Sequence, residues 1–379
     1  MTGIDVVGLR RDLHRHPELA FAEHRTTGLI VDVLRDAGLR PEVLPRGTGV
    51  VCEVGENNGG PVVALRADID ALPIPDEKDV PYRSTVDGVC HGCGHDAHTA
   101  ILLGAAAALA AEPPAGRVRL VFQPAEETVP GGAPVAMAAG VLDDVAQIFA
   151  LHCDPRIATG QIGLRVGPIT AACDQVEVQL SGTGGHTARP HLTQDVVFAL
   201  GLLITELPAV LSRRVDPRSA LSLVWGAVEA GRAANAIPMS GRLRGTLRVF
   251  DRDAWDDAKP LLESLVAQVV APSGVQAVTT YTRGVPPVIN DPPAVAVQRT
   301  AVLTALGEDA LTGTEQSMGG EDFAWYLDKV PGALARLGVC PPGGASFDLH
   351  QGTFDIDERA LAAGVDYTVA LAHTALAAL

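Results

Sequence analysis

Three apolar runs in this chain, at residues 61–67, 117–122 and 148–151, end in side chains that carry charge or can hold a metal. The first passes into Arg66-Ala67-Asp68-Ile69-Asp70, the second into Gln123-Pro124-Ala125-Glu126-Glu127, and the third into His152-Cys153-Asp154. The first reads as a strand buried on both faces and the other two, Arg117 and Arg119 notwithstanding, as buried strands; such strands belong in parallel or mixed sheets covered by helices. In open α/β sheets, sites gather outside the carboxyl ends of the strands. The pattern therefore predicts an α/β unit with one functional edge. Residues 49–54 read as a further strand. Helices are expected from about Leu9 to Pro17, over 25–37 with Gly38 at the C-cap, and over 99–111.

Between the first two strands lies His91-Gly92-Cys93-Gly94-His95-Asp96-Ala97-His98-Thr99, a dense set of sulfur, imidazole and carboxylate donors. Soft donors of this kind suit zinc or a similar transition metal. Taken singly, each neighbouring feature has a plainer reading. Asp68 and Asp70 fit a solvated turn, Glu126 and Glu127 a surface pair, and His152 a structural histidine. Together they predict that Asp70, Cys93, His95, Glu127 and His152 meet at one sheet edge. Adjacent glutamates face different ways, so one suits metal ligation and the other proton transfer.

From about Asp174 the pattern changes. Val176, Val178 and Leu180 alternate with polar residues, the mark of a strand with one wet face. A helix over 194–214 (with Pro208 as a break), strands over 219–228 and 241–249, a helix over 253–270 and a strand over 275–283 follow. The order β-α-β-β-α-β is ferredoxin-like. It divides the chain into residues 1–173 with 284–379, and an inserted unit at 174–283. Pro/Gly clusters at 284–293 and 341–344 read as short loops.

Lys+Arg number 29 against 45 Asp+Glu, a net charge of −16 that disfavours nucleic acid and anionic membranes as partners. The longest apolar run, 100–111, is too short to span a bilayer, and no basic-then-apolar leader opens the sequence. The six cysteines show no framework spacing. A cytoplasmic protein is expected. Cys90 and Cys93 form one C-x-x-C with no second copy, which leaves a four-cysteine zinc site incomplete.

These pieces resemble, over nearly the whole chain, the co-catalytic metallo-amidohydrolases of the aminoacylase and carboxypeptidase G superfamily, in their hippurate hydrolase and auxin-conjugate hydrolase branch. The resemblance rests on residues 66–73, 91–98, 123–127 and 151–152. It continues through Gly185-His186-Thr187-Ala188-Arg189-Pro190-His191, Asn235-Ala236-Ile237-Pro238, Gly319-Gly320-Glu321-Asp322-Phe323 and Leu349-His350. One departure is Ala97, where this branch usually has glycine.

The resemblance implies a mixed-sheet, phosphorylase/hydrolase-like metallopeptidase domain and a ferredoxin-like lid that forms a homodimer. It implies two divalent ions (Zn or Mn, also Co or Ni) held by Cys93, His95, Glu127, His152 and His350. Glu126 would be the general base, and Asp70 would orient a ligand or the reacting water. His186 would stabilise the oxyanion across a dimer interface, with Asn235, Arg248 and Gly320 at the substrate. The implied reaction is hydrolysis of N-acyl amino acids. A dipeptidase or carbamoyl-amide hydrolase on the same scaffold is the alternative enzyme. A catalytically inert metal-binding protein would not need Glu126, and a structural zinc knuckle would leave Glu127, His152 and His350 unexplained.

Overall fold

The structure, a computed structural model, describes residues 3–57, 59–343 and 347–379. Met1, Thr2 and Gly344, the last residue of the loop expected at 341–344, lie outside the described residues. The chain divides into two compact units: Met1–Ile169 with Ile289–Glu315 and Asp322–Leu379, and Thr170–Val288 with Gln316–Glu321.

The first unit is built on an eight-stranded mixed sheet. Its order is Glu42–Val43, Val50–Gly55, Arg117–Gln123, Val62–Asp68, Val145–Ala158, Gly332–Cys340, Ile162–Leu164 and Leu311–Gly313. The central strands 117–123, 62–68, 145–158 and 332–340 pair in parallel, and antiparallel neighbours flank them. Val62–Asp68 is buried at every position, as its unbroken apolar run requires. The strand begun by the run 148–151 extends from Val145 to Ala158.

The helix His95–Ala111 is apolar all round and almost wholly buried, as expected of a helix with no solvent face. Burying side chains such as Leu103 and Leu109 contributes about 1.5–3 kcal/mol each. It starts at His95, four residues before the start that the sequence pattern suggests. Gly94 precedes it in the left-handed conformation (φ 87°), and a Cβ there would lie 3.0 Å from the Cys153 sulfur. Ala97 is a buried helical residue, so its methyl group meets no left-handed strain. The first helix is Val6–Arg15, which leaves Leu19 outside it.

The second unit is a four-stranded antiparallel sheet ordered Ser222–Ala230, Ser240–Val249, Ala172–Ser181 and Gln276–Val285. The helices Val196–Arg214 and Arg252–Val270 complete the ferredoxin-like order. Pro208 does not break its helix. The segment Gln316–Glu321 joins this unit, although its place in the sequence groups it with residues 1–173 and 284–379. The Ala171 amide donates to the Ser317 carbonyl (3.0 Å), and the Arg248 guanidinium donates to the Met318 carbonyl.

Two helices, Val196–Arg214 and Arg359–Ala377, are long and apolar enough to cross a bilayer by length and composition. Each turns a row of residues into a protein core instead: Leu200, Leu203, Leu207 and Leu211 in one, Leu361, Val365 and Leu371 in the other.

Candidate metal centre

The Cys93 loop, the start of the helix after it and the ends of neighbouring strands converge in the first unit. Cys93, His95 and His152 offer ligand atoms that all lie within 4.8 Å of one another, and so do Cys93, Glu127 and His350. Cys93 is common to both sets. Its sulfur is 3.5 Å from His152 Nε2. Glu127 Oε1 is 3.8 Å from His95 Nε2 and 3.3 Å from His350 Nε2. Glu126 stands beside this group, its Oε2 3.9 Å from His95 Nε2.

Backbone carbonyls fix how the two buried imidazoles face. His95 Nδ1 donates to the Asp70 carbonyl (2.9 Å) and His152 Nδ1 to the Cys153 carbonyl (2.7 Å). Both present Nε2 to the centre, an arrangement that raises ligand basicity and holds the ring. His350 is brought in by its own amide, which donates to the Gly92 carbonyl (2.8 Å), and it adopts a left-handed φ of 62°. Non-glycine residues rarely occupy that region, and such strain clusters at functional sites.

His98 is excluded as a ligand. Its Nε2 accepts from the Cys153 amide (2.8 Å), so Nδ1 carries the proton it donates to Asp68 (2.6 Å). Neither His98 nor His14 is a surface residue; His14 lies buried between Asp96 and Asp76. The six cysteines are all free, so Cys90 and Cys93 form no disulfide.

The two strand-end aspartates part company. Asp68 accepts from Arg66 Nη1 (2.6 Å) as well as from His98. Asp70 turns to the next strand's exit, where its oxygens accept from the Glu126 and Glu127 amides, both at 3.0 Å. Both carboxylates are buried, so neither forms a solvated turn. Beneath them Arg66 also reaches Gln123 (3.0 Å) and Asp322 (2.8 Å), and Asp322 accepts from Gln123 and the Ala133 amide. This buried network was not visible as such in the sequence, although the adjacent motifs contain Arg66, Gln123 and Asp322.

The charge states follow from these contacts. Burial disfavours a charged His95, yet Asp68 and Asp70 hold its pKa up, at about 10. Burial and then Arg336 keep His152 well below its usual value, hence neutral. Burial opposes ionisation of Asp68, but His95, Arg66 and His98 hold it well below the usual carboxylate range.

The residues present fit a cation. His95 Nε2 is buried without a hydrogen-bond partner, at a cost of about 1–3 kcal/mol, and Glu127 Oε1 has the ion-pair contact with His350 but no well-aligned hydrogen bond. Cations held by the two donor groups would satisfy both. Sulfur, imidazole and carboxylate in one cluster suit zinc and its first-row neighbours.

The remaining predicted residues lie in the second unit. His186 and Asn235 are exposed and close in space: the ribbon Gly185–His186 pairs with Ala236–Ile237, placing Ala236 opposite His186. The Ala188 amide donates to His186 Nδ1 (3.0 Å), which leaves Nε2 as the protonated nitrogen of a neutral ring. Arg248 lies on the strand Ser240–Val249. Gly320 is exposed but closely flanked on one side, since a Cβ there would lie 2.9 Å from Val285 and 3.0 Å from Cys173.

The family model for peptidase family M20/M25/M40 matches residues 64–374. The chain belongs to this family. A longer Rhodococcus jostii (strain RHA1) protein named as a glutamate–cysteine ligase 2-3 is 53% identical over 366 residues. That match covers 97% of this M20 chain but 46% of the relative, so the chain spans about half that protein's length. The N-acetyl-L-cysteine deacetylase of Bacillus subtilis (strain 168) is 37% identical over 94% of this chain and 84% of its own. The crystal structure of the Bacillus subtilis YxeP protein, described as a dinuclear metal binding peptidase from the M20 family, superposes with a TM-score of 0.86. The two are 34% identical, over 99% of this chain and 98% of that one.

Proposed function

We propose that this M20 protein hydrolyses the amide bond of N-acyl amino acids, as in the hippurate and auxin-conjugate hydrolase branch, using two divalent ions. The observation that carries this reading is the pair of three-donor groups sharing Cys93, with Glu126 beside them. Cys93, His95 and His152 would hold one ion, and Cys93, Glu127 and His350 the other. Bound there, the ions would supply Lewis-acid activation of water and of the scissile carbonyl.

The chain's own groups do the rest. Glu126 takes the proton of the attacking water and passes it to the leaving amine, a role suited to a carboxylate that is not itself a ligand. Asp70 fixes the turn that carries Glu126 and Glu127. His186, with Nδ1 occupied by the Ala188 amide, would offer Nε2–H to the developing oxyanion in the partner's active site, across the dimer interface. Arg248 keeps one nitrogen on the Met318 carbonyl, and we assign its remaining donors to the substrate carboxylate. Asn235 and Gly320 complete the substrate contacts.

We also assign a homodimer formed through the inserted unit, 174–283. The exposed Val197, Phe198 and Ile204 on the helix Val196–Arg214, and Val224 and Val228 on the edge strand Ser222–Ala230, support this. Two Bacillus subtilis relatives are named as N-acetylcysteine deacetylases, which makes N-acetylcysteine the first substrate to test.

The test is turnover of acetyl, benzoyl and long-chain N-acyl amino acids, dipeptides and ureido acids by protein loaded with zinc or manganese. Glu126→Gln should lower kcat by about 10²-fold or more with the metal retained, and Glu127→Ala should lose metal. Near-full turnover by Glu126→Gln would remove the base, and preferential turnover of dipeptides or ureido acids would move the assignment to the alternative enzyme.

A further inference from the structure

Glu23 is buried, with no exposed surface. It immediately precedes the helix His24–Asp36, the usual place for a capping side chain, yet it makes no capping hydrogen bond there. Glu18 does that work instead, accepting from the Arg25 amide (2.9 Å) and the Thr26 amide (2.8 Å). The Glu23 carboxylate is directed elsewhere: its Oε1 accepts from the Ala125 amide at 2.8 Å.

Ala125 is buried and left-handed (φ 59°), an unfavourable conformation for alanine that only the surroundings can hold in place. The next two amides, of Glu126 and Glu127, donate to Asp70. Three consecutive amides in this turn are thus held by two buried carboxylates from distant parts of the chain. The Glu18 carbonyl accepts from the Ala71 amide (2.8 Å), which ties the Glu23 segment to the Asp70 segment. Burial, and to a lesser extent nearby Asp70, push the Glu23 carboxyl up to about 7, but an oxygen can accept from Ala125 in either protonation state.

We propose that Glu23 is a positioning residue that, together with Asp70, clamps the left-handed turn and fixes where Glu126 and Glu127 point. The consequence for turnover rests on the reading of Glu126 as general base; the clamp itself does not.

Glu23→Gln keeps an acceptor oxygen, Glu23→Asp withdraws it by one methylene, and Glu23→Ala removes it. Hydrogen–deuterium exchange over peptides spanning 123–128 should match wild type in Glu23→Gln and be faster in Glu23→Asp and Glu23→Ala. At equal metal content, kcat should stay within about twofold for Glu23→Gln. It should fall about 10–100-fold for the other two with KM little changed, because a misplacement of about 1 Å is costly at a reacting centre. If Glu23→Ala does not fold, Glu23→Asp carries the test.

Unchanged exchange in Glu23→Asp and Glu23→Ala would overturn the clamp. A Glu23→Gln variant as impaired as Glu23→Ala would also overturn it, since charge and not acceptance would then matter. Wild-type protein that turns over none of the amide panel would refute the proposed function, while the exchange data would still decide the clamp.

Discussion

Replacing Arg66 by methionine should expose how much of the first unit depends on one buried cation. The Arg66 side chain is 2% exposed and pairs with Asp68 (2.6 Å, 1% exposed) and Asp322 (2.8 Å, 0% exposed). Methionine keeps most of the stem's packing and deletes the guanidinium, so both carboxylates stay buried without it. Breaking a buried pair from one side costs about 3–5 kcal/mol, a large share of the roughly 5–15 kcal/mol that holds a domain folded.

The sign of the pH effect follows from Asp68, whose folded pKa lies well below its unfolded value. In wild type this contributes stability above the unfolded pKa, about 3.9, and the contribution is lost as pH falls through the folded value. In the variant Asp68 keeps His95 and His98 but loses Arg66, which raises its folded pKa, so the penalty should be constant at neutral pH and shrink as pH falls through that raised value. Of the tryptophans, Trp325 lies in the first unit, and Trp225 and Trp255 in the second. Urea unfolding of 5-fluorotryptophan-labelled protein, read at the Trp325 fluorine resonance, would report the first unit. A penalty below about 1 kcal/mol, or one independent of pH, would refute the argument that Arg66 neutralises the two aspartates.

Asp70→Asn replaces one carboxylate oxygen by a donor, which then faces the Glu126 or Glu127 amide. The unsatisfied amide should cost about 1–3 kcal/mol and lower kcat; wild-type stability and turnover would show that water or relaxation restores the contact. Metal uptake should release protons, because His95 is held charged up to about pH 10 in the metal-free site and must be neutral to ligate. Affinity should therefore rise with pH towards that value. Calorimetry at pH 7 in buffers of different ionisation enthalpy should detect net proton release, to which the Cys93 thiol also contributes, and none released would contradict the role of His95 as a ligand.

The local arrangement was legible in the sequence because it follows from periodicity and short-range chemistry. Unbroken apolar runs mark the doubly covered strands, alternation from Val176 to Leu180 marks the half-wet sheet, and donor residues at strand ends mark the edge where a site can form. At Gly94 the left-handed turn favours glycine locally, while the close approach of the Cys153 side chain is a tertiary contact.

What tertiary structure alone decided is the direction of each polar group. The His98 and His152 imidazoles both lie at the site, but only contacts with Cys153 show that one is fully engaged and the other presents Nε2. Likewise, nothing near Glu23 in sequence indicates that it serves an amide 102 residues away, or that Arg66 pairs with Asp322. Buried donors and acceptors must be satisfied wherever the fold brings a partner. That partner is set by long-range packing, on which local residue pattern carries no information.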